Sequence, residues 1–436
     1  MERIDVDIEL TDTPAVINAT PEDEVIEIGD ARTDRYNTFD FISWWKQDVV
    51  RAATIMVIGA GALGNEVLKN LALMGVGRLL IVDFDTIEDS NLSRSVLYRA
   101  SDNSRRKAEA AAEAVRELNP DVAAQWLHVD VNHDLGLGVY RRMDVVIGCL
   151  DNREARLSIN KACYHLNKPW VDAAIQALFG LARVFVPGRG ACYECTLTPE
   201  DYRIMNVRMS CNLLAQASIV QGKVPTTPTI SAIMAGIQSQ EALKLLHGMD
   251  VTGGRAYLFD GLTNDFFTLD YDEREECLSH WVYDAIIELP AATAEGNTAA
   301  DLLAEAEARL GPGARLEIPA YALNGRCDAC DLTPPIHQPL HRLTFHDSAC
   351  PLCGQPMTLT TVEDVGGGEP LAERTLAELG VPPLDILRAR TPAWDYIFLE
   401  LTGDAPGFLA FERADAETVN TFYDRRKQWQ KTEKSR

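Results

Sequence analysis

The sequence contains no uninterrupted apolar run of about 18 residues, so nothing in it reads as a membrane-spanning helix. Its first residues, MERIDVDIELTD, lack both the basic and the apolar region of a secretory signal. Cationic charge is scarce: 41 lysines and arginines face 65 aspartates and glutamates, giving a formal net charge of −24. A surface that acidic repels phosphate backbones and anionic membranes at long range, which disfavours nucleic-acid and membrane-surface roles. It leaves room for a local cationic pocket that takes a nucleotide. Cysteine is also too sparse for a disulfide scaffold, ten in 436 residues. Six of those ten stand in CxxC pairs, a spacing that reads as metal ligation in a reducing compartment. No internal repeat and no low-complexity tract interrupts the chain. The expectation is a cytoplasmic globular protein of two or three domains, with no nucleic-acid or membrane partner.

Residues 1–34 are acidic and read as a loose arm, with one edge-strand candidate at Ile4–Leu10. From residue 54 the pattern alternates. Apolar runs at Thr54–Ile58, Leu79–Val82 and Val145–Ile147 predict buried strands. Between and after them, Asn65–Met74, Arg105–Leu118 and Thr229–Leu246 have helical spacing or composition, and Gly248 stands where a helix would be capped. Strands separated by helices imply right-handed crossovers and an α/β fold with a mainly parallel sheet. Pro290–Gly313 predicts a helix and a turn, the glycines from Gly366 another loop, and Tyr423–Arg436 a charged, fraying end. A boundary near 275–285 divides a domain over 35–285 from a C-terminal module over 286–436.

Gly59-Ala-Gly61-Ala-Leu-Gly64 is GxGxxG placed directly after a strand and before a helix. Such glycines permit a tight turn and let backbone N–H groups approach a phosphate. Asp83 follows 19 residues after Gly64, at the end of the next strand, where a carboxylate can accept from ribose hydroxyls. The loop alone does not choose between NAD and ATP.

The residues that follow are more specific. Asp83-Phe-Asp85-Thr-Ile-Glu-Asp-Ser-Asn91-Leu-Ser-Arg94 resembles the DxDxxxxxNLxR stretch of ThiF/MoeB adenylyltransferases and ubiquitin-activating enzymes. Arg35-Tyr-Asn, Lys107, Asp151-Asn152-Arg-Glu-Ala-Arg156 and Pro225-Thr-Thr-Pro with Ile230–Leu246 resemble further motifs of that family, in order. Two departures stand out: Gly148 replaces a frequent aspartate, and Thr38 replaces an arginine that in several members reaches across a dimer. The resemblance implies a Rossmann-like adenylation domain that binds ATP and Mg²⁺. A carrier protein's C-terminal carboxylate then attacks the α-phosphate, leaving an acyl adenylate. It assigns Arg94 and Lys107 to the phosphates, with Asn91, Asn152, Asp85 and Arg35 beside them. Asp83 falls to the ribose and Asp151 to the metal. Read without the family, Arg94 is a turn cap, Lys107 part of a charged helix face and Asp151 a loop N-cap.

The cysteines divide in the same way. Cys192-Tyr-Glu-Cys195 stands at the family's first CxxC, and Cys277-Leu-Ser-His280 at its second, implying one Cys₃His zinc site. Cys327, Cys330, Cys350 and Cys353, with 19 residues between the pairs, have zinc-ribbon spacing and predict a second zinc in a C-terminal α+β module. Cys149 and Cys163 fall in apolar surroundings typical of buried thiols. Cys211, near Arg208 in a polar stretch, stands where thioester-forming members carry their nucleophile, and an arginine there lowers a thiol pKa.

The leading expectation is an activating enzyme for a ubiquitin-like protein, a homodimer that hands a thioester to a ubiquitin-conjugating-enzyme-like partner. The composite resembles activating enzymes of bacterial ubiquitin-like conjugation and antiphage-defence operons. The alternatives are a sulfur-carrier adenylyltransferase and an inactive scaffold subunit. The scaffold is disfavoured because Asp83, Asn91, Arg94, Lys107 and Asp151 are all present.

Overall fold

The computed structural model describes residues 35–203, 225–409 and 411. The chain divides into two compact units, Met1–Ser43 and Trp44–Arg436. In the described part of the first, a 3-10 turn spans Asn37–Phe41, with the rings of Tyr36 and Phe39 6.5 Å apart. The edge-strand candidate at Ile4–Leu10 lies outside the described residues, as does the charged end from 423.

The second unit is built on an eight-stranded sheet. Its strands are β1 (Thr54–Ile58), β2 (Arg78–Val82), β3 (Ala123–Leu127), β4 (Val145–Gly148), β5 (Trp170–Gln176), β6 (Phe179–Phe185), β7 (Arg255–Asp260) and β8 (Asp265–Asp270). They lie in the order β3-β2-β1-β4-β5-β6-β7-β8. The first five are parallel and the remainder antiparallel. The expected apolar runs became β1, β2 and β4, and each is fully buried, as continuous hydrophobic strands covered on both faces must be.

The helix after β1, Ala62–Met74, starts three residues earlier than its periodicity suggested, because Gly61 itself caps it. It ends where Gly75 takes φ +76°, letting Val76 N–H reach the Leu71 carbonyl at 3.1 Å. The other predicted helices span Lys107–Leu118 and Pro228–Leu246.

A second sheet follows. Its strands are β9 (Ile286–Glu288), β10 (Arg315–Arg326), β11 (Pro335–Pro339), β12 (Thr358–Gly366), β13 (Ile386–Arg390) and β14 (Tyr396–Glu400). Their order is β11-β10-β13-β14-β9, with β12 also paired to β10. The predicted helix-and-turn resolves into a helix over Ala299–Leu310, started by a Thr298/Asp301 capping box, with Gly311 and Gly313 at positive φ behind it.

This sheet shares a core with the first. Leu384, Ile386 and Phe398 join one buried cluster with Met56, Ile58 and Leu80. At the seam the Gly138 amide donates to Leu384 O (2.9 Å), and the Leu137 amide donates to the Asp385 carboxylate (2.8 Å). The wholly buried Glu400 is held by Arg141 and Arg142. Neither cation can be withdrawn without leaving a buried carboxylate short of a partner.

Candidate nucleotide site and two cysteine clusters

β1 runs into Gly59, β2 into Asp83 and β4 into Cys149 through Asp151. Because β1 lies between β2 and β4, all three segments meet at one carboxyl edge, where chain connections part to opposite sides. That is where open α/β sheets bind ligands.

The three glycines play separate parts. Gly59 has φ +95°, and a Cβ on it would fall 2.4 Å from the Cys149 carbonyl oxygen. A Cβ on Gly64 would lie 1.9 Å from Gly59 O, so its absence lets the helix close on the loop. Gly61 has nothing within 4 Å of that position. It borders open space at the start of a 13-residue helix, whose first amides have no partner within the helix and so form an anion-binding end.

Asp83 is fixed by the backbone. One oxygen accepts from Ala60 N–H and the other from Asp85 N–H, both at 2.7 Å. Burial pushes its carboxyl up, while Lys107 and those two amides draw it down; the net shift is upward. Lys107 begins its helix, with its side chain only 12% exposed and its ammonium 2.7 Å from Asp85 Oδ2.

Asn91 closes a 3-10 turn, accepting from Glu88 N–H at 3.0 Å. Arg94 donates to the Ser90 carbonyl at 2.6 Å, the turn-capping contact expected of it without the family. Asp151 is exposed. Its neighbour Asn152 caps the helix Arg153–His165 by accepting from Ala155 N–H at 2.7 Å.

The last residue of that motif, Arg156, is buried. It donates to Asp172 at 2.8 Å and to the Leu150 carbonyl beside Asp151. Burial pushes the Asp172 carboxyl up, but Arg156 and Arg183 outweigh it and hold it below its ordinary value. The structure therefore links Asp83, Asp85 and Lys107 in one bonded chain that reaches the loop of Gly59, Gly61 and Gly64 through Ala60 N–H, with Asp151 beyond the end of the adjoining strand. Arg35 is exposed and belongs to the Met1–Ser43 unit. Cys211 and Arg208 lie outside the described residues.

Three partners are not singled out by the sequence reading. Asn65 is buried and donates to the carbonyls of Ala60 (2.7 Å) and Gly61 (3.0 Å). Tyr98 donates its hydroxyl to Ala60 O at 2.6 Å. Gln238, on the helix Pro228–Leu246, donates to Gly148 O at 2.8 Å and accepts from the Cys149 thiol at 3.7 Å. Asn65 directly follows the last glycine of the loop, and Gln238 lies within the Ile230–Leu246 motif, but neither residue type there announces its contact.

Both cysteine groups converge, each with its four ligand atoms within 4.8 Å of one another. In the first, Cys192 Sγ lies 3.8 Å from Cys195 Sγ and 3.5 Å from Cys277 Sγ, and Cys195 Sγ 3.3 Å from His280 Nε2. A tetrahedral zinc with bonds of about 2.3 Å separates its sulfurs by about 3.8 Å, so the donor set fits that ion. His280 Nδ1 is 3.3 Å from Glu273, and Tyr164 stacks on the imidazole at 4.7 Å. Both contacts orient the ring. In the second group, Cys327 and Cys353 are 3.6 Å apart. There the backbone amides of Cys353 and Leu352 help draw the Cys350 thiol down to about 7. Cys149 and Cys163 are buried, and burial pushes both thiols well up, which disqualifies them as nucleophiles at neutral pH.

The ThiF family model matches residues 33–279. The sulfur carrier protein ThiS adenylyltransferase of Escherichia coli (strain K12) is 30% identical over 247 residues, covering 56% of this chain and 93% of that protein. The SAMP-activating enzyme E1 of Haloferax volcanii is 33% identical over 247 residues, covering 56% and 87%. The SUMO-activating enzyme subunit uba-2 of Caenorhabditis elegans is 35% identical over 155 residues, and there the chain spans only 27% of its relative's length. Among solved structures, E. coli MccB with ATP aligns at 19% identity and TM-score 0.48, over 58% of this chain and 75% of that one. With its match running from residue 33 to 279, more than half of 436, the chain belongs to the ThiF family.

Proposed function

We propose that the chain uses ATP to adenylate the C-terminal carboxylate of a ubiquitin-like protein, takes the acyl group onto Cys211 as a thioester, and passes it to a conjugating-enzyme-like partner. The observation that carries this reading is the bonded group at the carboxyl edge: a glycine loop facing open space beside Asp83, Asp85 and Lys107.

In the first step a carboxylate oxygen bonds to the α-phosphorus while the bond to the leaving pyrophosphate breaks. Negative charge then gathers on the phosphates. The helix N-terminus, Lys107 and Arg94 lower its cost, with Asn91 and Asn152 as further polar contacts. Lys107 leaves Asp85 to reach the polyphosphate, a stronger anion than one carboxylate. Asp83 accepts from the ribose hydroxyls. Mg²⁺ would be held by Asp151, offsetting phosphate charge. In the second step the Cys211 thiolate attacks the acyl carbon and AMP departs, with Arg208 favouring the thiolate.

The two cysteine groups would each hold one structural zinc. We assign residues 1–34 to an arm, 35–285 to adenylation and 286–436 to partner binding, and place the chain in a homodimer in which Thr38 supplies no cation across the interface. A second reading, adenylation of a sulfur carrier without a thioester, is favoured by the E. coli relative, 93% of which aligns with 56% of this chain.

Radiolabelled pyrophosphate exchange into ATP, with carrier present, tests the first step. Replacing Asp151 by alanine is expected to lower exchange on the order of 100-fold. Robust exchange in that variant removes Asp151 from the site. Cys211→Ala separates the two readings: it should preserve exchange yet abolish a reductant-sensitive enzyme–carrier band. Absence of such a band in the wild type favours the sulfur-carrier reading.

A further inference from the structure

We propose that Tyr98 and Asn65 are positioning residues that set the orientation of one peptide in the glycine loop, and through it the affinity for ATP. The inference rests on the nucleotide reading above. The peptide joins Ala60 to Gly61. Glycines on both sides of Ala60 leave this stretch the least restrained backbone in the site, free to rotate the peptide plane. In a trans peptide the C=O and the following N–H point in opposite directions. Drawing the Ala60 carbonyl into the protein therefore turns the Gly61 N–H the opposite way, and Gly61 itself stands beside open space. A flipped plane would aim a carbonyl, not an amide, at the phosphates.

Two buried donors hold the carbonyl inward. Tyr98 OH reaches Ala60 O at 2.6 Å and Asn65 Nδ2 reaches it at 2.7 Å. On the other side of the residue, Ala60 N–H is taken by Asp83 Oδ2 at 2.7 Å. All the polar atoms of Ala60 are thus engaged, and the engagement spreads. Asn65 Oδ1 accepts from Leu97 N–H at 2.9 Å, which ties the loop to the segment that carries Asn91 and Arg94. The Tyr98 hydroxyl also lies 3.2 Å from the Lys107 carbonyl, at the start of the helix whose ammonium pairs with Asp85. Tyr98 and Asn65 act through the backbone they hold, fixing the groups that would meet a nucleotide. Pre-set donors cost no reorganisation when the phosphates arrive, which is the advantage of rigid placement.

The test is ATP binding by isothermal titration with the full chain, in magnesium-containing buffer, together with pyrophosphate exchange. Tyr98→Phe deletes one hydroxyl and keeps the ring. It is expected to weaken ATP affinity about 10-fold, the loss typical of one strong hydrogen bond, and to raise KM for ATP more than it lowers kcat. The melting temperature should stay within a few degrees. Asn65→Ala is expected to do the same more strongly, and Tyr98→Phe stands alone should that variant misfold. Tyr257→Phe, on β7, controls for loss of a phenol elsewhere and should leave ATP affinity unchanged. Wild-type affinity and KM in Tyr98→Phe would overturn the proposal and leave the adenylation reading standing. ATP binding without exchange in the wild type would sink adenylation, while the affinity of Tyr98→Phe still decides the clamp. No ATP binding by the wild type would remove both.

Discussion

The two cysteine clusters have nearly the same chemistry and opposite settings. Cys192, Cys195, Cys277 and His280 lie where several elements meet. Arg274 donates to the carbonyls of Glu194, Cys195 and Leu197, and Asn160 Nδ2 donates to Cys192 Sγ at 3.4 Å. The residue after His280, Trp281, packs against His165, Tyr283 and Phe398, so the ligand segment leads straight into the second sheet. Cys327, Cys330, Cys350 and Cys353 instead close the far end of the antiparallel β10–β12 pair, with Cys353 exposed and Leu352 73% exposed. A CxxC pair reveals the ligand chemistry. Its neighbours decide whether losing a bound ion would be a local or a global event.

Two experiments put that contrast at risk and a third probes the seam between the sheets, taken from the largest expected effect to the smallest. Cys277→Ser should lose one zinc equivalent by elemental analysis and unfold the chain broadly, because structural zinc contributes folding energy where its ligands join separate elements. A cooperative melt like that of the wild type would show that the inner cluster is not a staple. Cys330→Ser should also lose one zinc equivalent, but hydrogen exchange should rise only over residues 326–358 and pyrophosphate exchange should stay within about twofold. A global fall in protection after that change would erase the distinction between the clusters.

The smallest effect concerns the seam that joins the two sheets. Burial pushes the Asp385 carboxyl up to about 6, against the amides of Leu137 and Ile386, which draw it down. A folded pKa above the unfolded one means that the native state binds the extra proton. Stability is therefore present below about pH 4 and is lost as pH rises through about 6, by at most about 3 kcal/mol. Asp385→Asn should flatten that slope in denaturant titrations across this range. An unchanged slope would place the titration elsewhere.

Much of the site is legible in the order of amino acids. β1, β2 and β4 announce themselves as short apolar runs because strands covered on both faces need no polar alternation. The glycine loop is legible because backbone sterics and close approach admit only glycine at positions 59 and 64. The strands β3 and β5–β8 are not marked out. β3 (AAQWL) and β8 (DFFTLD) carry neither clean alternation nor a bounded apolar run, and β8 is exposed along its whole length. Sheet neighbours, not local pattern, make them strands.

By itself the sequence determined the glycine loop, the carboxylate after β2 and the residue types of both clusters, because those depend on local covalent chemistry and short spacing. Only the tertiary structure decided three other things. It paired Cys192 with Cys277 across 85 residues, directed Tyr98 and Asn65 onto a single peptide, and made the second sheet share a core with the first. Each depends on which distant surfaces exclude water together, and burial of that kind is a property of the packed chain rather than of any segment within it.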